Sequence, residues 1–359
     1  MRWPVTRLTE RLGIRYPIVQ APMVGATSPE LVAAVSNAGG LGSLGGALMS
    51  PDALRTAIRD IRDRTDRPFN VNLFVWQDID QPAPGALQAV RAALAPFRQR
   101  LGLPDDAVLP LPPSPRALLE QQLVVVCEEA VPVFSFVLGI PPIDAVRESG
   151  AVIAGTATTV EEAAALEVAG VDVIVAQGSE AGGHRGNFLA PSAQSMIGGL
   201  ALVPQVVDRV RVPVVAAGGI MDGRGIAAAL ALGAQGVQLG TAFLGCPESA
   251  AHPLHKAALS RMADTDTCVT AVYSGRHARA RRTGFIGELE TALAAPLGFP
   301  LQYGQTGRIH YAAAETGDED LMFLLAGQAA GLSRSLGAAE LVGTLARETQ
   351  SVVDRIRPD

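Results

Sequence analysis

Thr159-Val-Glu-Glu-Ala-Ala-Ala-Leu-Glu-Val-Ala-Gly170-Val-Asp-Val-Ile-Val-Ala-Gln177 carries the fold in miniature. Thr159, with Glu162 three residues on, is the signature of a capping box. An alanine-rich helix follows, and Gly170 ends it by supplying a left-handed residue at C′. The Val- and Ile-rich run after it shows little alternation. That is how a strand reads when helices cover both faces of a parallel sheet.

The same unit of helix, glycine and apolar strand recurs along the chain. Strands are expected at 17–21, 40–44, 69–75, 132–137, 151–154, 171–177, 212–217 and 236–239. Ser28-Pro29 supplies an N-cap and a proline at N1, followed by Leu31, Val35 and Ala38 on one helical face. Gly39, Gly150 and Gly233 close helices as Gly170 does, and Asp222 opens the helix that ends at Gly233. Eight strands with helical crossovers predict an α/β chain folded as a (β/α)8, or TIM, barrel.

Two segments interrupt the repeat. Residues 77–114, with Gln-Pro-Ala-Pro-Gly and Leu-Pro-Leu-Pro-Pro-Ser-Pro around a helical pattern, read as an insertion after the third strand. Residues 246–324 lack strand–helix regularity and read as an extension after the eighth, lid-like over the barrel mouth. A last helix is expected at about 325–356, so that 1–245 plus 325–359 form the barrel.

Composition narrows the class. The 359 residues suffice for a barrel, which takes about 250. Hydrophobic residues make up 48% and charged residues 18%, which excludes a disordered chain. The glycines and prolines are scattered, which excludes collagen and low complexity. A net charge of −6 without a basic stripe argues against nucleic acid. Cys127, Cys246 and Cys268 have no CxxC spacing and are odd in number, so a reducing cytoplasm fits better than a disulfide scaffold. The start, Met1-Arg-Trp-Pro-Val-Thr-Arg, lacks the apolar stretch of a signal peptide, and no run approaches the ~20 apolar residues of a membrane span. A cytoplasmic protein without nucleic-acid or membrane partners is expected.

Gly40-Leu-Gly42-Ser-Leu-Gly45 matches GxGxxG, but its glycines follow a helix and contain a strand. A dinucleotide fingerprint has the reverse context, so this is read as a glycine-rich second strand. The ends of the last two strands say more. Ala216-Ala-Gly-Gly-Ile220 and Gln238-Leu-Gly-Thr241 put Gly218, Gly219, Gly240 and Thr241 where barrels build phosphate sites. A phosphate-bearing ligand is the expectation, with ordinary turn glycines as the alternative.

Gln177-Gly-Ser-Glu-Ala-Gly-Gly-His184-Arg-Gly lies past the sixth strand, at the end where barrel enzymes keep their chemistry. Gln177 can donate and accept. Gly182 and Gly183 let a loop lie flat against a ring. His184 can act as acid or base near neutrality. On the third strand Asn70 and Asn72 share a face, read as the barrel interior. Asn72 either contacts a heteroaromatic ring or is a satisfied core amide. Ala21, Pro22 and Met23, after the first strand, can lay backbone and a soft thioether along such a ring. His252 and His255 lack a third ligand, so no metal is expected. The basic run Ser274–Arg282 is read as a solvated face, or as a device steering an anion to the mouth.

Gln20-Ala-Pro-Met23, the Asn72 strand, Gln177 through Gly186, Ala217-Gly-Gly-Ile220, Gln238-Leu-Gly-Thr241 and Leu325-Ala-Gly-Gln-Ala-Ala-Gly331 together resemble the nitronate monooxygenases (2-nitropropane dioxygenases). Glu-Ala-Gly-Gly-His-Arg-Gly is the most specific part. The resemblance implies an FMN-dependent barrel without a metal. It implies FMN phosphate at Gly218, Gly219, Gly240 and Thr241, and Asn72, Gln177, Gly182 and Gln238 around the flavin. Ala21, Pro22, Met23 and Gly183 complete the expected cofactor shell, and His184 becomes the active-site histidine. The implied reaction oxidises alkyl nitronates, such as propionate 3-nitronate, with O₂ to a carbonyl compound and nitrite. Substrate and O₂ are the expected partners, with homo-oligomerisation left open. One stretch departs from the family: Phe299, Tyr303 and Arg308 stand where relatives often carry tyrosines and a lysine.

The nearest alternative is an FMN-dependent NAD(P)H enoyl-thioester or quinone reductase on the same barrel. An IMP-dehydrogenase-like enzyme would need a nucleophilic cysteine in a barrel loop, and none of the three lies in the loop after the sixth strand. A non-catalytic flavin or phosphate binder is the remaining class.

Overall fold

The structure, a computed structural model, describes residues 5–75, 81–112 and 114–356. Residues 1–4 of the N-terminal stretch, and 77–80 and 113 of the expected insertion, lie outside the described residues, as do 76 and 357–359.

All eight expected strands are present. They are β1 (Ile18–Gln20), β2 (Gly42–Gly45), β3 (Phe69–Phe74), β4 (Val133–Val137), β5 (Val152–Ala157), β6 (Val173–Gln177), β8 (Val214–Ala217) and β9 (Gly236–Leu239). The two-residue β7 (Gly183–His184) joins a second sheet with β10 (Thr267–Thr270) and β11 (Ala278–Arg281). The eight strands run parallel in the order β1-β9-β8-β6-β5-β4-β3-β2. The seam between β1 and β2 is closed by a bridge from Val19 to Leu41 and by Gln20 N–H donating to the Leu41 carbonyl at 2.9 Å. The Gln20 side chain reinforces it, accepting from Ser43 N–H at 2.8 Å.

Alternation along the strands divides the core. Ile18, Leu44, Val71, Phe134, Ile174 and Val237 face outward into the helix layer. Val19, Leu41, Val133, Ala154, Val173 and Val215 face inward and pack with Leu8, Leu12 and Ile14. The helix Arg7–Leu12 thus plugs the N-terminal end of the barrel, which the sequence pattern did not announce. Toward the other end the interior turns polar, with Ser43, Asn70, Asn72, Ser135 and Gln177. One end is sealed with hydrocarbon and the other is furnished with amides and hydroxyls.

Gly39, Gly150, Gly170 and Gly233 all take the left-handed conformation expected of them. The glycine-rich second strand is a packing device: a Cβ at Gly42 would collide with the carbonyl of Val32 in the helix Pro29–Asn37. The capping box is half correct. Thr159 accepts from Glu162 N–H at 3.2 Å, but the Glu162 carboxylate does not return to Thr159. It accepts instead from the Thr158 N–H and hydroxyl, and from Phe188 and Leu189 N–H at 2.6 and 3.0 Å. Four donors compensate its burial and tie the loop after β6 to the barrel.

Two expectations need correction. The last helix runs Ala338–Ile356 and starts later than expected, because Gly327, Gly331 and Gly337 disfavour helix before it. The extension is regular after all. It holds β10, β11 and the helices Pro253–Leu259, Gly284–Ala292 and Leu301–Thr316. The insertion's helix Ala86–Arg100 packs on it, with Val90, Leu94 and Phe97 sharing one cluster with Phe285, Ile286, Leu289 and Ile309. Insertion and extension therefore share a second core.

Candidate active site

The expected site residues gather at the polar end. Ala21, Pro22 and Met23 follow β1, Asn72 lies on β3, and Gln177 ends β6. Gly218 and Gly219 follow β8, Gln238 lies on β9, and Gly240 and Thr241 follow it. Asn70 and Asn72 do share the interior face, and both donate to the Ser135 hydroxyl, at 2.9 and 2.8 Å. Gln177 is committed to its own loop: its amide donates to the His184 carbonyl at 3.0 Å and accepts from Gly186 N–H at 2.8 Å.

That loop is held from three sides. First, Gly183 and His184 pair with Arg279 and Ala278 of β11, and Arg185 N–H donates to the His277 carbonyl at 2.9 Å. Second, Arg185 is fully buried, and its guanidinium donates to the carbonyls of Gly178, Gln177 and Ser195 at 2.7–3.2 Å. Third, Arg276 donates to the carbonyls of Arg185, at 3.2 Å, and Asn187, while Arg279 donates to that of Ser179 at 3.0 Å. Hydrogen bonds to a charged group contribute about 1.5–3 kcal/mol each, and several are needed to offset the several kcal/mol lost when a cation is buried. The basic run is therefore neither a solvated face nor an open funnel, because Arg276 and Arg279 are spent on this loop. Arg281 reaches Glu319, and within the run only His277 and Arg282 are exposed.

His184 sits inside this frame. Its Nε2 lies 2.9 Å from the Ser274 hydroxyl. Ser274 donates to the Arg276 carbonyl at 3.1 Å and accepts from Arg276 N–H at 3.3 Å. The network is satisfied when Nε2 carries the proton and donates to Ser274, which leaves Nδ1 as the basic nitrogen. Burial, and then the Arg276 cation, push the imidazole down to about 4, so it is neutral at physiological pH. Phe74, Phe299 and Phe323 stand around its ring, with centroids 6.0, 5.5 and 6.3 Å away.

The glycines have distinct reasons. A Cβ at Gly182 would come within 2.6 Å of the Ala326 and Gly327 backbone. Segment 326–328 lies across this loop: Gln328 N–H donates to the Glu180 carbonyl at 3.0 Å, and Gly327 N–H to the Thr241 hydroxyl at 3.0 Å. Gly218 and Gly219 both have left-handed φ, at 113° and 69°. At Gly240 a Cβ would enter the space beside Ala21 and Met23, 3.5 Å from one and 3.7 Å from the other. Glycine turns of this kind at the ends of the last two strands are the features from which barrels build phosphate sites. Deeper in, the Asn70 Oδ1 and Ser43 hydroxyl are buried without a partner among the described residues. Unpartnered polar atoms beside glycine-rich strand ends fit a polar, phosphate-bearing ligand.

Among the described residues no three His, Cys, Asp or Glu side chains are placed to hold a metal. His252 caps a helix, and His255 faces the Leu325 carbonyl. Arg308 is exposed, and the Tyr303 hydroxyl meets that of Tyr311 at 3.4 Å. Sequence reasoning named Glu162 only as part of a capping box, Ser274, Arg276 and Arg279 only within a basic run, and Arg185 only within a motif, and it missed what each of them holds. The alternation Arg279-Ala-Arg281 was a usable strand signal for one of them.

Comparison with known proteins places the chain. The nitronate monooxygenase family model matches residues 5–348. Probable nitronate monooxygenases of Staphylococcus saprophyticus and Staphylococcus aureus are each 41% identical, over 98% of this chain and 99% of theirs. The structure of nitroalkane oxidase from Streptomyces ansochromogenes is 38% identical, with a TM-score of 0.90 over 98% of this chain and 100% of that one. FabK from Thermotoga maritima follows at 32% and 0.78, covering 99% of both chains. Fold and relatives define a flavin-dependent barrel oxidoreductase. More narrowly, the chain belongs to the nitronate monooxygenase family. Among the described residues no helix is long and apolar enough to cross a membrane.

Proposed function

We propose that this enzyme is an FMN-dependent monooxygenase that oxidises alkyl nitronates, such as propionate 3-nitronate, with O₂ to a carbonyl compound and nitrite. The observation that carries the reading is His184: neutral, braced by Ser274, and set in a loop stitched by buried arginines. When bound, FMN would supply the redox chemistry between the nitronate and O₂. The protein's part is to bind, orient and hold protons. His184 Nδ1 takes the α-proton when a neutral nitroalkane enters. Arg185, Arg276 and Arg279 give the site a positive field that favours the nitronate anion.

In this reading Gly218, Gly219, Gly240 and Thr241 hold the FMN phosphate. Ala21, Pro22, Met23, Asn72, Gln177, Gly182, Gly183 and Gln238 surround its ring. Residues 246–324 act as a lid-like subdomain over the mouth of a barrel built from 1–245 and 325–359. The three cysteines are free thiols, which supports a reducing cytoplasm.

An absorbance spectrum of the purified protein, followed by an oxygen-electrode assay with alkyl nitronates, tests the proposal. The expected result is a flavin spectrum, O₂ uptake and nitrite release. Flavin without O₂ uptake on any small nitronate would favour a non-catalytic binder.

A further inference from the structure

We infer that Lys256 is a positioning residue: its ammonium fills a cation site made of three main-chain carbonyls and, through them, holds the turn from Met23 to Ala26 against the cofactor. The cofactor half of the inference rests on the flavin reading above. Lys256 is the only lysine among the 29 basic residues of the chain. It lies in the helix Pro253–Leu259 of the extension, and its Nζ donates to the carbonyls of Cys246, Pro247 and Ser249 at 2.9, 3.3 and 2.7 Å. Those carbonyls belong to the loop that follows β9 and the short helix Thr241–Leu244. Three acceptors converging on one point suit a compact ammonium with three rotatable donors. A planar guanidinium, the cation this chain uses everywhere else, spreads its donors over a rigid fork.

The loop passes that restraint to the barrel mouth. Ala250 N–H and the Ser249 hydroxyl both donate to the Ala26 carbonyl, at 2.9 and 3.2 Å. Ala26 N–H in turn donates to the Met23 carbonyl at 3.0 Å, and Thr27 adds its N–H and hydroxyl there, at 2.9 and 3.1 Å. Met23 and Ala26 pack against Leu244, Ala251, Leu259 and Ala326. One apolar cluster thus joins the turn, the loop, the helix and the segment that crosses the His184 loop. Without the ammonium, three carbonyl dipoles would face one another with their negative ends inward, and the loop would relax to separate them. The helix has other anchors: His252 caps it, and His255 Nε2 donates to the Leu325 carbonyl at 3.0 Å. Loss of the Lys256 ammonium therefore frees the loop rather than the helix.

The test measures FMN release on dilution of the FMN-loaded protein, read by flavin fluorescence. Lys256→Ala should raise the FMN dissociation constant about ten-fold, the factor that one charge-assisted hydrogen bond supplies. Propylammonium carries the atoms this substitution removes and should recover most of the affinity. Tetramethylammonium, a cation without N–H donors, should not. Lys256→Met keeps an apolar stem and serves if the alanine variant does not fold; it should also release FMN more readily, without recovery in propylammonium. Unchanged FMN affinity in a folded variant would overturn the inference, whether or not its Tm falls, because Lys256 would then be a staple with no bearing on the cofactor. Equal recovery by the two cations would overturn the carbonyl site. A wild-type protein that takes up no FMN would overturn the flavin reading instead, and a Tm of Lys256→Ala raised by propylammonium alone would still support the carbonyl site.

Discussion

His184 of the barrel loop and Ser274 of the extension meet at 2.9 Å, Nε2 to hydroxyl. The extension thus supplies the group that fixes which imidazole nitrogen is basic. Ser274→Ala removes that partner and frees the ring to turn or change tautomer. Turnover of neutral nitroalkanes should fall about ten-fold, below the 10²–10⁴ that a whole acid–base group contributes. Flavin content should hold, and Ser274→Thr should restore much of the rate. Unchanged kinetics would mean that Ser274 does not position His184.

Arg276 links the same histidine to charge. It is second to burial in lowering His184, and it stitches the Arg185 and Asn187 carbonyls. In Arg276→Met the imidazole should titrate above 4, closer to its ordinary value. The acid limb of kcat/KM for a neutral nitroalkane should move up in pH. With a preformed nitronate, which needs no proton removed, the wild-type limb from His184 should be absent above about pH 5.

Much of the barrel was legible because the strands are Val- and Ile-rich runs closed off by glycines such as Gly170. What escaped was set by distant contacts. β7 is two residues long and exists only because β11 pairs with it. The late start of the final helix follows from glycine cost, and the docking of Gly327 on Thr241 could not be seen from spacing. His184 stood out by its place after a strand. Ser274, 90 residues on, did not.

Three histidines give the fold an acid sensitivity. His184, His255 and His310 are each lowered to about 4, burial being the largest cause. The unfolded chain binds these protons near pH 6.5, and the folded chain does so only near 4. Stability is therefore complete above about pH 6.5 and falls as pH drops toward 4, by up to ~1.4 kcal/mol per pH unit per histidine. Tm measured from pH 8 to 5 should stay level and then decline below 6.5. His310→Phe should show a shallower decline. A steep fall unchanged in that variant would assign the loss elsewhere.

Gly182 is confined by backbone. Gly182→Ala places a Cβ 2.6 Å from the Ala326–Gly327 peptide, where no flexible side chain can yield. A loss of roughly 1–3 kcal/mol is expected, the usual cost of overpacking. Because this segment also holds Thr241, the variant should release FMN more readily, which dialysis followed by absorbance would measure. Wild-type stability with full flavin retention would contradict the packing described.

The most direct test of the nitronate reading is anaerobic mixing of the FMN-loaded enzyme with NAD(P)H, paired with aerobic mixing with propyl-1-nitronate. The expected outcome is no rapid bleaching of the flavin by NAD(P)H, together with O₂ uptake and nitrite release with the nitronate, most of which is lost in His184→Asn. Rapid bleaching by NAD(P)H without O₂ uptake on the nitronate would identify a reductase instead.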